Sequence, residues 1–241
     1  MKRQLRLPFL LSGAFMNVIV TGAAGVLGRA VVAAFNAAGA NVVALGRHRA
    51  QLEQVLDAEA EQLQFAVADL RDAGEVAVVA AEAVARFGSI DVLVNVAGGF
   101  RMGTPVHATP DEDWEFLLDI NFRSMLNAVR AVVPHMLDAG GGKIVSIASA
   151  SARQGLPNMG AYCVSKDAVI RLTESMSAEL RGKGINVNCV LPGTIDTDEN
   201  RAHMPNADRS KWVAPEALAD VILFLAGDGA RAIHGAAIPC V

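Results

Sequence analysis

The sequence predicts an α/β fold, a doubly wound sheet of seven parallel strands with helices on both faces. Short segments rich in valine and isoleucine alternate along the chain with helix-length segments, the mark of repeated strand–helix–strand units. Several of the short segments are apolar almost throughout, as strands covered on both faces must be. At 241 residues, with 52% hydrophobic and 19% charged, the chain suits one large domain with a thick core and excludes a disordered polymer.

Residues 1 to 15 read as an N-terminal extension before the first strand. Their basic start, short apolar run and small residues Ser12, Gly13 and Ala14 imitate a secretory signal, and Met16 offers a second start. The expected single domain spans 16 to 241. Its strands are NVIVT (17 to 21), NVVAL (41 to 45), LQFAVA (63 to 68), DVLVNVA (91 to 97), KIVSIAS (143 to 149), INVNCVL (185 to 191) and AAIPCV (236 to 241). Helices are expected at 26 to 38, 49 to 60, 72 to 87, 111 to 138, 158 to 181 and 215 to 226. Thr109 and Pro110 precede Asp111, Glu112 and Asp113, so acidic groups meet the positive end of the fourth helix dipole. Pro134 is expected to bend or shorten that helix. The polar stretch 192 to 214, with Pro192, Gly193 and Pro205, reads as a long functional lid.

A net charge of −4 without a lysine/arginine run excludes nucleic acid as a main partner. No apolar run is long enough for a bilayer span, so no membrane is expected. Cys163, Cys189 and Cys240 form neither a disulfide framework nor a metal cluster, which points to a reducing, cytoplasmic home and no metal. Beside the tyrosine, Cys163 reads as a small packing residue.

After the first strand comes TGAAGVLG, a glycine turn opening a helix, the context in which such a pattern signals a dinucleotide site of Rossmann type. Gly22 permits the tight turn, Gly25 lets phosphates approach the backbone, Gly28 lets helix and strand pack closely, and Val26 and Leu27 complete the turn. Helix-start N–H groups there carry partial positive charge, suited to a pyrophosphate. The second strand ends in Gly46, Arg47, His48 and Arg49, without the acid that binds a ribose 2'-hydroxyl. Arg47 can instead grip a 2'-phosphate with its fork of donors, so NADP(H) is preferred over NAD(H). The plainer role for Arg47 and Arg49 is to solvate the next helix.

Tyr162, the single tyrosine, and Lys166 lie four apart in YCVSK, on one helix face. A nearby ammonium stabilises a phenolate, so Tyr162 can give a proton to a carbonyl being reduced or take one from an alcohol. Ser149, ending the fifth strand, can hydrogen-bond the same oxygen.

Together TGAAGVLG, Asp69, NVAG (95 to 98), Asn121, Ser149, YCVSK thirteen residues beyond it, and Pro192 with Gly193 resemble the classical short-chain dehydrogenase/reductase family over about 16 to 241. The resemblance implies an oxidoreductase moving a hydride between NADP(H) and a small carbonyl or secondary alcohol. It implies that Tyr162 is the acid/base, that Lys166 binds the nicotinamide ribose and lowers the tyrosine pKa, that Ser149 positions substrate, and that Asn121 supports a relay water. Asp69 with Leu70 then meets the adenine, Asn95, Ala97 and Gly98 border the adenosine, and Pro192, Gly193, Ile195 and Thr197 flank the nicotinamide. A homo-oligomer, tetramer or dimer, is also implied.

Three departures stand out. The middle glycine falls one position early, as in the extended branch; NVAG replaces NNAG; and the last strand, IPCV, lacks the customary aspartate and glycines that serve subunit contacts. The alternatives are a non-catalytic NAD(P)-sensing protein, which needs no proton donor, and an extended-type epimerase or lyase, for which the C-terminal part is short.

Overall fold

The computed structural model describes residues 16–241; the expectations for 1 to 15 lie outside the described residues. Seven strands join one sheet: β1 (Asn17–Thr21), β2 (Asn41–Gly46), β3 (Leu63–Val67), β4 (Val92–Asn95), β5 (Gly142–Ile147), β6 (Ile185–Pro192) and β7 (Ala237–Cys240). Every pairing is parallel and the order is β3-β2-β1-β4-β5-β6-β7. The winding therefore reverses between β1 and β4, and the crevice beyond the strand ends at such a switch point is where open α/β sheets bind ligands.

Strand periodicity builds two cores, because successive side chains point to opposite faces. Ile19, Val43, Leu45 and Leu93 join one face; Val18, Val20, Val42, Ala44 and Val94 join the other. The first is covered by α3 (Ala73–Phe87), α5 (Ser124–Ala139) and α6 (Gly160–Leu180), through residues such as Val79, Met136 and Ile170. The second is covered by α1 (Val26–Ala37), α2 (Arg49–Val55) and α8 (Pro215–Ala226), through Phe35, Leu52 and Ile222. Burial on both faces is why the strands read as apolar runs.

Several expected elements are redrawn. The second helix stops at Val55 instead of 60, because Glu59 turns back to accept from the Phe65 N–H at 2.7 Å and to pair with Arg49. This occupies a donor on the edge strand β3. The helix expected at 111 to 138 is two, α4 (Asp111–Leu118) and α5, joined by a π-helical turn at Asp119–Arg123 that carries Asn121. Pro134 does not end α5: both it and Arg130, whose carbonyl loses a donor, are exposed, so water can satisfy that carbonyl. The stretch at 192 to 214 is structured by α7 (Asp198–His203), a 3-10 turn at Arg209–Lys211 and an Ile195–Val213 bridge.

Candidate active site

The first turn follows β1 without a break. Gly22 has φ +65°, and a Cβ on it would lie 2.8 Å from Ala97 Cα. Gly28 is pressed harder, since its Cβ would sit 2.1 Å from the Gly22 carbonyl oxygen. Gly25 differs: it is exposed, a Cβ would meet only that oxygen at 3.3 Å, and it stands as the N-cap of α1 with no side-chain cap. The N–H groups of Val26, Leu27 and Gly28 therefore have no intrahelical acceptor, and no acidic residue offsets the dipole in that turn. An open cradle with free donors fits a pyrophosphate.

Thr21 fastens this turn to the strand beside it. Its hydroxyl accepts from the Val96 and Ala97 N–H groups at 3.1 and 3.2 Å. Asn95 donates to Ser146 at 3.1 Å, while its buried Oδ1 has no partner. Gly98 has no room for a side chain: a Cβ would lie 2.8 Å from Asn121 Oδ1 and 3.1 Å from Lys166 Nζ.

At the end of β2 the basic cluster divides. Arg49 pairs with Glu53 and Glu59 and lies over the Phe65 ring, a structural task. Arg47 is exposed and makes no ion pair among the described residues. Past β3, Arg71 holds the Asp69 carboxylate through side-chain and backbone bonds, bringing its pKa down to about 2, with Arg47 adding a weaker field. Asn127 donates to the Leu70 and Arg71 carbonyls at 2.9 and 3.1 Å and so shapes this corner.

The reacting groups meet beyond β4, β5 and the start of α6. Ser149 lies two residues past β5, and its hydroxyl draws the pKa of the Tyr162 phenol down. Burial pushes that phenol up, the Ser149 hydroxyl opposes this in part, and Cys163 adds a smaller upward push. This departs from the expected lowering of the phenol by Lys166. Lys166 is itself 4% exposed, burial brings its pKa down to about 8, and its hydrogen bond runs to the Ile147 carbonyl at 2.9 Å. Desolvation thus favours the neutral form of both groups.

Asn121 is held inward by the π-helical turn. It accepts from the Gly99 N–H at 2.9 Å and donates to the Gly99 carbonyl and to Ser165 Oγ, both at 3.0 Å. Its side chain clamps the segment after β4 to α6. Phe100, on that segment and 54% exposed, meets the Tyr162 ring edge to face with centroids 4.8 Å apart. On the far side, the Gly193 N–H donates to the Cys240 carbonyl at 2.8 Å, the Ile195 carbonyl accepts from Asn200, and Thr197 caps α7 by accepting from the Asn200 N–H. Pro192 closes β6.

Thr21, Phe100, Asn127, Ser146, Ser151 and Ser165 were not singled out in the sequence. Their roles depend on neighbours far along the chain; only Ser151, two residues from Ser149, had a local signal.

Among the described residues no group of acids, histidines and cysteines could hold a metal, and no helix is long and apolar enough to cross a membrane. A family model described as short chain dehydrogenase matches residues 16–208. A 2-(R)-hydroxypropyl-CoM dehydrogenase of Xanthobacter autotrophicus is 36% identical over 239 residues, covering 91% of this chain and 94% of its own length. A 3-oxoacyl-(acyl-carrier-protein) reductase of Thermotoga maritima is 33% identical, with 91% and 94% covered. A solved structure from Beutenbergia cavernae, assigned as an NAD(P)-dependent gluconate 5-dehydrogenase and holding NADP at low occupancy, matches with a TM-score of 0.83, 33% identity and 97% of each chain.

Proposed function

The chain belongs to the short-chain dehydrogenase family and is an NAD(P)-dependent oxidoreductase of small molecules; on that premise we propose that it works with NADP(H) on a carbonyl or secondary alcohol, with Tyr162 as acid/base. The observation that carries the reading is buried Lys166 one turn along α6 from Tyr162, with Asn121 tied to the same turn through Ser165.

Gly22, Gly25 and the first-turn amides would hold the pyrophosphate, Asp69 and Leu70 the adenine, Asn95, Ala97 and Gly98 the adenosine side, and Lys166, Pro192, Gly193, Ile195 and Thr197 the nicotinamide side. When bound, the nicotinamide supplies or accepts a hydride at the reacting carbon. Tyr162 gives its phenolic proton to the oxygen of a carbonyl being reduced and takes it back from an alcohol being oxidised. Ser149 donates to that same oxygen, where negative charge develops. The Lys166 ammonium favours the phenolate left by proton transfer. Asn121, with its side chain committed to Gly99 and Ser165, fixes the geometry of Tyr162 and Lys166 and leaves its backbone to serve a relay water.

The NADP(H) preference is supported by Arg47, a guanidinium just past β2 that makes no ion pair among the described residues, while Asp69 is committed to Arg71. Free Cys163, Cys189 and Cys240 support a reducing, cytoplasmic setting. The family likeness favours a dimer or tetramer, and sedimentation as a monomer would overturn that assignment. For the central claim, Tyr162→Phe should lower turnover by at least ~10³-fold and leave NADPH binding within a few-fold of the parent. Turnover near the parent level would remove Tyr162 from the chemistry.

A further inference from the structure

Ser149 is followed by a 3-10 turn, Ala150–Arg153, that brings Ser151 back onto it. The two hydroxyl oxygens lie 2.8 Å apart, and the Ser151 N–H donates to Ser149 Oγ at 3.3 Å. The Ser149 hydroxyl also draws the pKa of the Tyr162 phenol down. A serine hydroxyl has one hydrogen and two acceptor sites, so these contacts can be counted out.

Were Ser149 to spend its hydrogen on Ser151, none would remain for the phenolate or the substrate oxygen. With Ser151 as donor, both acceptor sites of Ser149 are filled, one by the amide and one by the hydroxyl. The Ser149 hydrogen is then left free for the phenol or, in its place, the reacting oxygen. A hydroxyl that accepts such a bond is also polarised into a better donor. We propose that Ser151 is a positioning residue: its hydroxyl donates to Ser149 and thereby keeps the one Ser149 hydrogen for the Tyr162 phenol in the free protein and for the substrate oxygen in its place when substrate is bound. The inference rests on the reading of Tyr162 as acid/base, yet it predicts an effect visible without turnover.

Tyr162 is the single tyrosine of the chain, so near-ultraviolet tyrosinate absorbance of the whole protein titrates this phenol alone. Ser151→Ala should move the midpoint up by roughly half a pH unit, about threefold in acidity. Ser151→Thr, which keeps the hydroxyl, should stay within about 0.2 of the parent. Ser149→Ala should shift the midpoint at least as far as Ser151→Ala, and the double variant no further than Ser149→Ala, since Ser151 acts through Ser149. In alcohol oxidation, Ser151→Ala should lose about three- to tenfold in kcat with KM little changed. A Ser151→Ala midpoint equal to the parent, a Thr variant displaced as far as Ala, or additive shifts in the double variant would each overturn the proposal. The titration reads the chain from Ser151 to Tyr162 in the absence of substrate, so its failure is distinct from a Tyr162→Phe enzyme that still turns over.

Discussion

Replacing the three first-turn glycines by alanine, one at a time, should separate folding from nucleotide binding. In Gly28→Ala the new Cβ would start 2.1 Å from the Gly22 oxygen, 2.8 Å from Ala23 Cα and 2.9 Å from the Gly22 carbonyl carbon, all backbone. Turn and helix must part, an overpacking cost of about 2–3 kcal/mol, which in a chain of this length lowers Tm by roughly 4–12 °C. Gly22→Ala combines a left-handed φ of +65° with a 2.8 Å approach to the Ala97 backbone, and should cost about as much. Gly25→Ala is the contrasting case. Its φ of −74° and ψ of 165° suit any residue, and the nearest atom is 3.3 Å away. Alanine is a poorer N-cap by about 0.5 kcal/mol, and the stiffer unfolded chain returns about as much. The unliganded melt should therefore stay within about 2 °C of the parent, while the methyl group in the cradle weakens NADPH binding at least ~10-fold. Thermal melts without cofactor, paired with NADPH titrations by fluorescence, give both quantities. The reasoning fails if Gly25→Ala destabilises the unliganded protein as much as Gly28→Ala, or if it binds NADPH as tightly as the parent.

Two further outcomes follow from charges in the site. Arg47→Ala should weaken NADPH binding by about tenfold and NADH binding by less than about twofold, because a single charge-assisted contact to the 2'-phosphate is lost; equal losses in calorimetric titrations would assign Arg47 to helix solvation. Lys166, brought by burial from its ordinary 10.5 to about 8, is charged in both folded and unfolded chains below pH 8, where its desolvation costs the fold roughly 3 kcal/mol. That cost should fade as pH rises from 8 to 10.5, whereas Tyr162, pushed the other way, costs stability only above its unfolded value near 10. The difference in unfolding free energy between the parent and Lys166→Met, measured by urea denaturation, should therefore shift in the parent's favour between pH 8 and 10; a difference independent of pH would mean that Lys166 is not desolvated.

Much of the fold was legible because its signals are local. The strand segments are β-branched and buried on both faces, so their composition marks them: β1 falls at 17 to 21 as expected, and β2 and β6 differ by one residue at their ends. The misses come from tertiary contacts. Nothing in RAQLEQVLDAEA announces that Glu59 will leave the helix for Phe65 N–H, a residue on the next strand. The π-helical turn at 119 to 123 lies inside a continuous helical pattern, yet it turns Asn121 inward toward Gly99 and Ser165. The glycines were the reverse case. Their spacing pointed toward another branch of the family, whereas the structure gives each one its own demand: conformation at Gly22, close packing at Gly28, and an open helix start at Gly25. An early middle glycine is thus compatible with the same cradle, because Gly25 can become the N-cap itself.

The pKa shifts of Tyr162 and Lys166 also bear on how the site can work in each direction. Before proton transfer the phenol is neutral and Lys166, the next turn along α6, is buried against a neutral carbonyl; among the described residues no carboxylate pairs with it. An ammonium held this way is poorly stabilised. In the proposed role of Tyr162 as acid/base, a negative charge grows on the phenol oxygen as its proton leaves, and the ammonium gains an anion that was absent at the start. Attraction that appears only as the reaction proceeds lowers the barrier, whereas an ion pair already made in the ground state would be shared by both states and leave the barrier unchanged. The neutral partner of Lys166, the Ile147 carbonyl, serves this end, because a carboxylate there would neutralise Lys166 in advance. The same balance sets the direction in which the protein alone is poised. In that proposed role a phenol held above its ordinary range keeps its proton at neutral pH and can act as an acid on a carbonyl, and the reverse reaction should gain as pH rises toward the range in which the phenol ionises.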